Sequence, residues 1–140
     1  MCAAKLFCDL IRDRRGGPAT EFGVVITIFL MVVLGVIEIG SYAMTEQALI
    51  ESVHDGGRYA VVHGSKSAEP ATAASLQSLV QSESSVLTST LVSVTVTFTP
   101  NNSPGSTVSI VATYPWTPIV PLAGFSAATI TATSISTILN

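Results

Sequence analysis

From Phe22 to Ile37 the chain runs for sixteen residues without a charged side chain, and past Glu38 it stays nearly free of polarity as far as Ala43. As a helix rising 1.5 Å per residue, the stretch from Phe22 to Ala43 is about 33 Å long, enough to cross a hydrocarbon core of about 30 Å. A single membrane-spanning helix over residues 17–43 is the first expectation. Composition agrees, since 48% of the 140 residues are hydrophobic and only 11% are charged, against roughly 25% charged in an ordinary soluble domain.

Charge placement orients the helix. Before the apolar run stand Lys5, Arg12, Arg14 and Arg15 against Asp9 and Asp13, whereas beyond residue 20 only Arg58 and Lys66 oppose seven carboxylates, within a net charge of -3. Basic residues stay on the cytoplasmic side, so residues 1–16 are expected in the cytoplasm and the remainder outside. The acidic remainder offers no basic patch for nucleic acid. Cys2 and Cys8 both precede the run, which excludes a disulfide framework in the exported part and leaves two free thiols in a leader.

A cleaved secretory signal is the competing reading, because Ser41-Tyr42-Ala43 offers small residues at which a domain starting at Met44 could be released. Against it stand a run longer than the usual ~7 to 15 apolar residues and the glutamate inside its last third.

Helical periodicity continues past the membrane. At 100° per residue, Tyr42, Leu49, Val53, Gly56 and Ala60 form one stripe while Gln47, Glu51, Asp55 and Arg58 lie opposite, so residues 44–63 read as an amphipathic continuation. Gly56 and Gly57 each cost about 1 kcal/mol relative to alanine, which makes them the weak point of this helix and leaves its continuity there open. Gly64 to Pro70 reads as a linker. Ala71 to Leu87 then places Leu76, Leu79, Val80, Val86 and Leu87 on one side of a second, shorter helix.

From Leu91 the period falls to two. Val92, Val94, Val96 and Phe98 alternate with hydroxyl residues up to Thr99, and Thr107 to Tyr114 repeats the alternation after turn residues Pro100 to Gly105, with Ser106 expected at the surface. A proline-rich loop, Pro115 to Pro121, leads to a third β-prone stretch, Thr129 to Leu139. The expected class is α+β: a long membrane helix, a short helix and an antiparallel sheet of about three strands, with residues 64–140 forming an exported β-rich domain. No charged residue follows Glu83, so this region interacts through packing and backbone pairing, and its sheet edges could accept an added strand.

Catalytic constellations are missing from the sequence. His54 and His63 lie nine residues apart with no cysteine or histidine neighbours and read as solvated helix residues, not zinc ligands. No Gly-x-Ser-x-Gly elbow or phosphate loop occurs, and beyond Glu83 the hydroxyl groups have neither base nor acid to activate them. No catalytic residue, metal or cofactor is expected. Asn101-Asn102-Ser103 has the form of a glycosylation triplet, a short and weak motif.

Function is carried by the residues at the start of the membrane run. Arg14-Arg15-Gly16-Gly17-Pro18-Ala19-Thr20-Glu21-Phe22 resembles a type IV prepilin processing site, in which a basic leader ends in glycine and glutamate stands fifth in the mature chain. The spacing places the cut between Gly16 and Gly17. Two glycines give a protease an unhindered bond, and Pro18 suits a first helical turn. Glu21 is costly at a membrane edge unless paired, which marks it as a functional candidate; the other reading is a helix-start acid favoured by the macrodipole. The pilin resemblance implies that Glu21, with Phe22 beside it, meets the N-terminal amine of a neighbouring subunit.

Gly35-Val36-Ile37-Glu38-Ile39-Gly40 and Asp55-Gly56-Gly57-Arg58-Tyr59-Ala60 extend the likeness. Together they resemble the TadE-like pseudopilins of tight adherence pili, with Gly57 where that family usually has alanine. Tyr114-Pro115-Trp116-Thr117-Pro118 and Ala132-Thr133-Ser134 resemble its terminal strands more loosely. The resemblance implies a pilin-like fold and a minor pilin-like subunit of a tight adherence type IV pilus. It also implies a bacterial inner-membrane location, with the bilayer, a prepilin peptidase, other pilin or pseudopilin subunits and the assembly machinery as partners. Glu38, near the outer interface, is expected to be a solvated acid or to pair with another subunit. The alternative function is a single-pass anchored extracytoplasmic binding domain that never enters a pilus.

Overall fold

The computed structural model describes residues 17–84, 87–120 and 126–139. Helix α1, Gly17–Val62, is 46 residues long; α2 is Ala73–Glu83, a turn of 3-10 helix spans Ser89–Leu91, and strands β1 (Ser93–Thr99), β2 (Thr107–Trp116) and β3 (Ala128–Thr137) follow. The expected α+β class is what the chain adopts. Contacts divide it into two units, one ending at Ile37 and one running from Glu38 to the end.

In the first unit the apolar side chains face outward. Phe22, Val24, Val25, Ile28, Phe29, Leu30, Met31 and Val32 are each at least half exposed, a state that water disfavours by about 25 cal/mol for every Å² of apolar surface. The helix is long and apolar enough to cross a membrane.

The second unit has a conventional core. Leu49, Val53 and Ala60 of α1, Leu76 and Val80 of α2, and Val94, Val108, Ile110, Ala112, Ile130 and Ala132 of the sheet are all buried. On α1 these residues recur at helical spacing, whereas Gln47, Glu51 and Arg58 on the other side are exposed. In the strands burial alternates, which puts the apolar residues on the face toward the helices. The sheet is antiparallel with β2 in the centre; its register sets Val96 against Ile110 and Ile110 against Ser134.

Gly56 and Gly57 do not interrupt the helix: α1 runs through both. Their small size serves packing instead. A Cβ on Gly56 would lie 2.8 Å from Val80 Cγ2 and one on Gly57 would lie 2.6 Å from Ser134 Oγ, so α2 and β3 pack closely on α1 here.

Two further boundaries differ from the sequence expectation, and the expected linker is held by hydrogen bonds. Helix α2 is shorter, held by a Thr72–Ser75 capping box at its start and ending at Glu83; Leu87 is still buried, but beyond the helix, and Val86 lies outside the described residues. Strand β2 continues through Pro115 to Trp116 rather than giving way to a loop. Pro115 pairs with Thr129 on the β3 side, whereas β1 begins opposite Thr113, so no strand on that side needs the missing N–H. Residues 64–70, expected as a linker, are tied down: Ser65 N–H donates to Asn102 O at 2.7 Å, and Ala71 N–H donates to His63 O at 2.7 Å. Asn102 Nδ2 also donates to Ala71 O at 2.8 Å.

Ser106 is buried, not at the surface. Its hydroxyl donates to Asn101 Oδ1 at 3.0 Å, and the neighbouring Gly105 holds φ at +85°, a conformation that favours glycine.

Candidate functional site

The chemistry-bearing residues of α1 are two carboxylates, Glu21 and Glu38, seventeen positions and about 25 Å apart along the helix. Their surroundings are opposite. Glu21 and Phe22 are exposed, and among the described residues neither an ion pair nor a hydrogen bond engages the Glu21 carboxylate. Gly17 is the first described residue and is exposed, with Thr20 Oγ1 donating to its carbonyl at 2.8 Å. Gly16, the other half of the expected cleavage pair, lies outside the described residues together with Cys2, Cys8 and the leader arginines.

Glu38 is not a solvated acid. Its side chain is fully buried; Oε2 accepts the backbone N–H of Ile119 at 3.1 Å and Oε1 accepts that of Val120 at shorter range. Burial of a carboxylate is costly without such partners, and two donors on two oxygens are a charge-assisted pairing. One turn along the helix, the Tyr42 ring meets Trp116 edge-on, with centroids 5.4 Å apart and planes at 84°. The start of the β2–β3 connection is therefore fixed to the beginning of the second unit's helix by a carboxylate and an aromatic pair.

Nothing in the sequence signalled Ile119 and Val120 as partners of Glu38, since backbone donors leave no side-chain signature. A second set of polar contacts was more legible. Gln77 Nε2 donates to Val94 O at 2.9 Å and Gln81 Nε2 donates to Val92 O at 3.1 Å. The two glutamines are one helical turn apart, flanking the buried Leu76 and Val80, which is the spacing that puts both on one side of α2. They occupy the carbonyl of Val94 in β1 and that of Val92 just before it, two acceptors that a strand added at the start of this edge would need.

The opposite sheet face carries rows of short side chains. Across the three strands, Thr95 lies beside Val111 and Thr97 beside Ser109, with Thr133 and Ile135 completing the rows on β3. None of these residues is charged.

The histidines do not form a site. His54 is exposed, as expected, but His63 is only half exposed; it stacks on Tyr59 with centroids 3.9 Å apart, and its Nδ1 lies 3.0 Å from Tyr59 O. Among the described residues no group of three or more histidine, cysteine, aspartate or glutamate side chains could hold a metal ion. Asp55 and Arg58 approach to 3.9 Å while largely exposed, an arrangement worth little.

Compared with known families, residues 17–58 match the model described as TadE-like protein. This covers α1 from its first described residue through Arg58, including both glutamates and the glycine pair, and leaves the sheet unmatched. No curated protein and no solved structure matches the chain.

Proposed function

We propose, from a chain that is a TadE-like protein over residues 17–58, that it is a minor pilin-like subunit acting in assembly of a tight adherence type IV pilus. Its α1 anchors it in the bacterial inner membrane with the N-terminus in the cytoplasm and the sheet outside. A prepilin peptidase cuts between Gly16 and Gly17. The role is structural and not catalytic, and its partners are other pilin or pseudopilin subunits and the assembly machinery.

The observation that carries this reading is the contrast between the two acids of α1. Glu38 is satisfied within its own chain, whereas Glu21 stands exposed at the other end of the apolar run. A carboxylate beside hydrocarbon is unfavourable alone. Pairing with the Gly17 amine of a neighbour lets both charges be buried together, and Phe22 adds apolar contact beside them. Removing one partner of a buried pair costs about 3 to 5 kcal/mol, which is roughly 100-fold or more in association. Crosslinking to other pilin subunits in membranes, at equal expression, should fall by that order in Glu21→Ala while membrane insertion persists. Unchanged crosslinking would make Glu21 a helix-start acid and remove the support for assembly.

A second reading, an anchored binding domain outside any fibre, draws on the uncharged Thr- and Ser-rich sheet face. It predicts no loss of function in Glu21→Ala, so the same variant separates the two.

A further inference from the structure

The part of the apolar run that lacks any charge is shorter than the membrane α1 is to cross. Phe22 to Ile37 covers about 24 Å as a helix, and a hydrocarbon core is about 30 Å thick, or some 20 residues. Any twenty-residue window of α1 that begins after Glu21 and ends before Glu46 contains Glu38. Placing Glu38 beyond the boundary would leave the span about four residues short. Placing it at or within the boundary, with Ile39 to Ala43 completing the span, requires its carboxylate to be masked.

The second unit supplies the mask from its own chain. Three consecutive residues at the start of the β2–β3 connection, Pro118, Ile119 and Val120, have no free N–H donor: Pro118 lacks one, and Ile119 and Val120 give theirs to Glu38. Irregular backbone is excluded from hydrocarbon chiefly because its polar groups go unsatisfied, and here the donors are used. The side chains are apolar, with Ile119 66% exposed and Ile39, next to Glu38 on the helix, 60% exposed. No charged residue occurs on α1 between Glu38 and Glu46 or on the connection from Thr117 to Val120. Tyr42 and Trp116, paired just beside this point, are the residue types that concentrate at membrane boundaries.

We propose that Pro118–Val120 is a second membrane-contacting element, which enters the boundary of the bilayer beside α1, exposes Ile119 to lipid and shields the Glu38 carboxylate from it. The occupant of this apolar surface is the lipid that surrounds the helix, because the loop is fixed by hydrogen bonds to the residue at which the apolar run ends. It follows that the sheet domain is held against the membrane at two points of the chain. The inference rests on the membrane-anchor reading and is independent of pilus assembly.

The test is depth measurement on the full chain with Cys2→Ser and Cys8→Ser, reconstituted in vesicles of phosphatidylcholine and phosphatidylglycerol. A nitrobenzoxadiazole probe is placed on cysteine at position 119 (Ile119→Cys) or, as a reference on the outer sheet face, at position 133 (Thr133→Cys). Lipid carrying a spin label high on its acyl chain should quench the probe at 119 several-fold more than the probe at 133. Iodide, equilibrated on both sides of the vesicles, should show the reverse order. In Glu38→Ala the lipid quenching at 119 should fall by half or more while helix content by circular dichroism is retained. Equal quenching of both probes by iodide, with none by lipid at 119, would overturn the proposal, and this comparison needs no substitution at Glu38. Failure of the chain to float with vesicles would overturn the anchor and the loop together. Loss of pilus association, by contrast, would leave the probe depths as they are.

Discussion

The carboxylate of Glu38 accepts the backbone N–H of Val120, 82 residues further along the chain. That bond, with its twin from Ile119, links the first residue of the second unit to the start of the β2–β3 connection.

Replacement of Glu38 should therefore be felt at the loop. Each of the two donors left unsatisfied costs about 1 to 3 kcal/mol, so Glu38→Ala should destabilise the second unit by about 2 to 6 kcal/mol. Glu38→Gln should lose roughly half as much, because the amide keeps one acceptor but turns an NH2 group toward the second N–H. Amide hydrogen exchange at Ile119 and Val120 in the detergent-solubilised chain should quicken by ten-fold or more in the alanine variant, about 1.4 kcal/mol or greater. Unaltered exchange would show that the pairing contributes nothing.

The glycine pair should separate under the same substitution. Gly56→Ala gains about 1 kcal/mol of helix propensity but drives its methyl against Val80 Cγ2 at 2.8 Å, in a valine that has essentially one χ1 rotamer in a helix. Overpacking of this kind costs about 1 to 3 kcal/mol, so a net loss of roughly 1 kcal/mol is expected, lowering Tm by about 5 °C. At Gly57 the nearest atom is the Ser134 hydroxyl, which can turn to another rotamer. Gly57→Ala should leave Tm unchanged or raise it. Thermal unfolding followed by circular dichroism distinguishes the two, and equal losses would contradict the packing account.

Topology predicts accessibility. Thr133 lies on the exposed sheet face, and in a chain lacking Cys2 and Cys8 the variant Thr133→Cys should react with an impermeant maleimide added to intact spheroplasts. Ser106, which the turn chemistry alone would have suggested as a labelling site, should react poorly because it is buried. Labelling at position 133 only after lysis would place the sheet in the cytoplasm.

Much of this fold was legible because its signals are periodic. The apolar run, the Leu49–Val53–Ala60 stripe and the alternation from Val94 to Phe98 and from Val108 to Ala112 each follow from one residue spacing, and each element formed. What escaped depends on tertiary partners. Propensity makes Gly56 and Gly57 a weak point, yet their role is set by Val80 and Ser134, which approach from elements far along the chain. Pro115 reads as a strand breaker until the register shows that β1 does not extend beside it. Glu38 stood out as a carboxylate inside an apolar run, but backbone N–H groups of Ile119 and Val120 carry no identity that a sequence can display. Glu21 is singled out by its motif alone, and its proposed partner lies on another molecule.

The processing step ties the leader, the helix and the proposed assembly role together, and the mature N-terminus measures it directly. Intact mass and N-terminal sequencing of the protein extracted from membranes of cells that possess the prepilin peptidase should give a chain beginning at Gly17. A chain still beginning at Met1 would leave a plain membrane anchor, and one beginning at Met44 would make the apolar run a discarded signal; either result contradicts the pilin-like account.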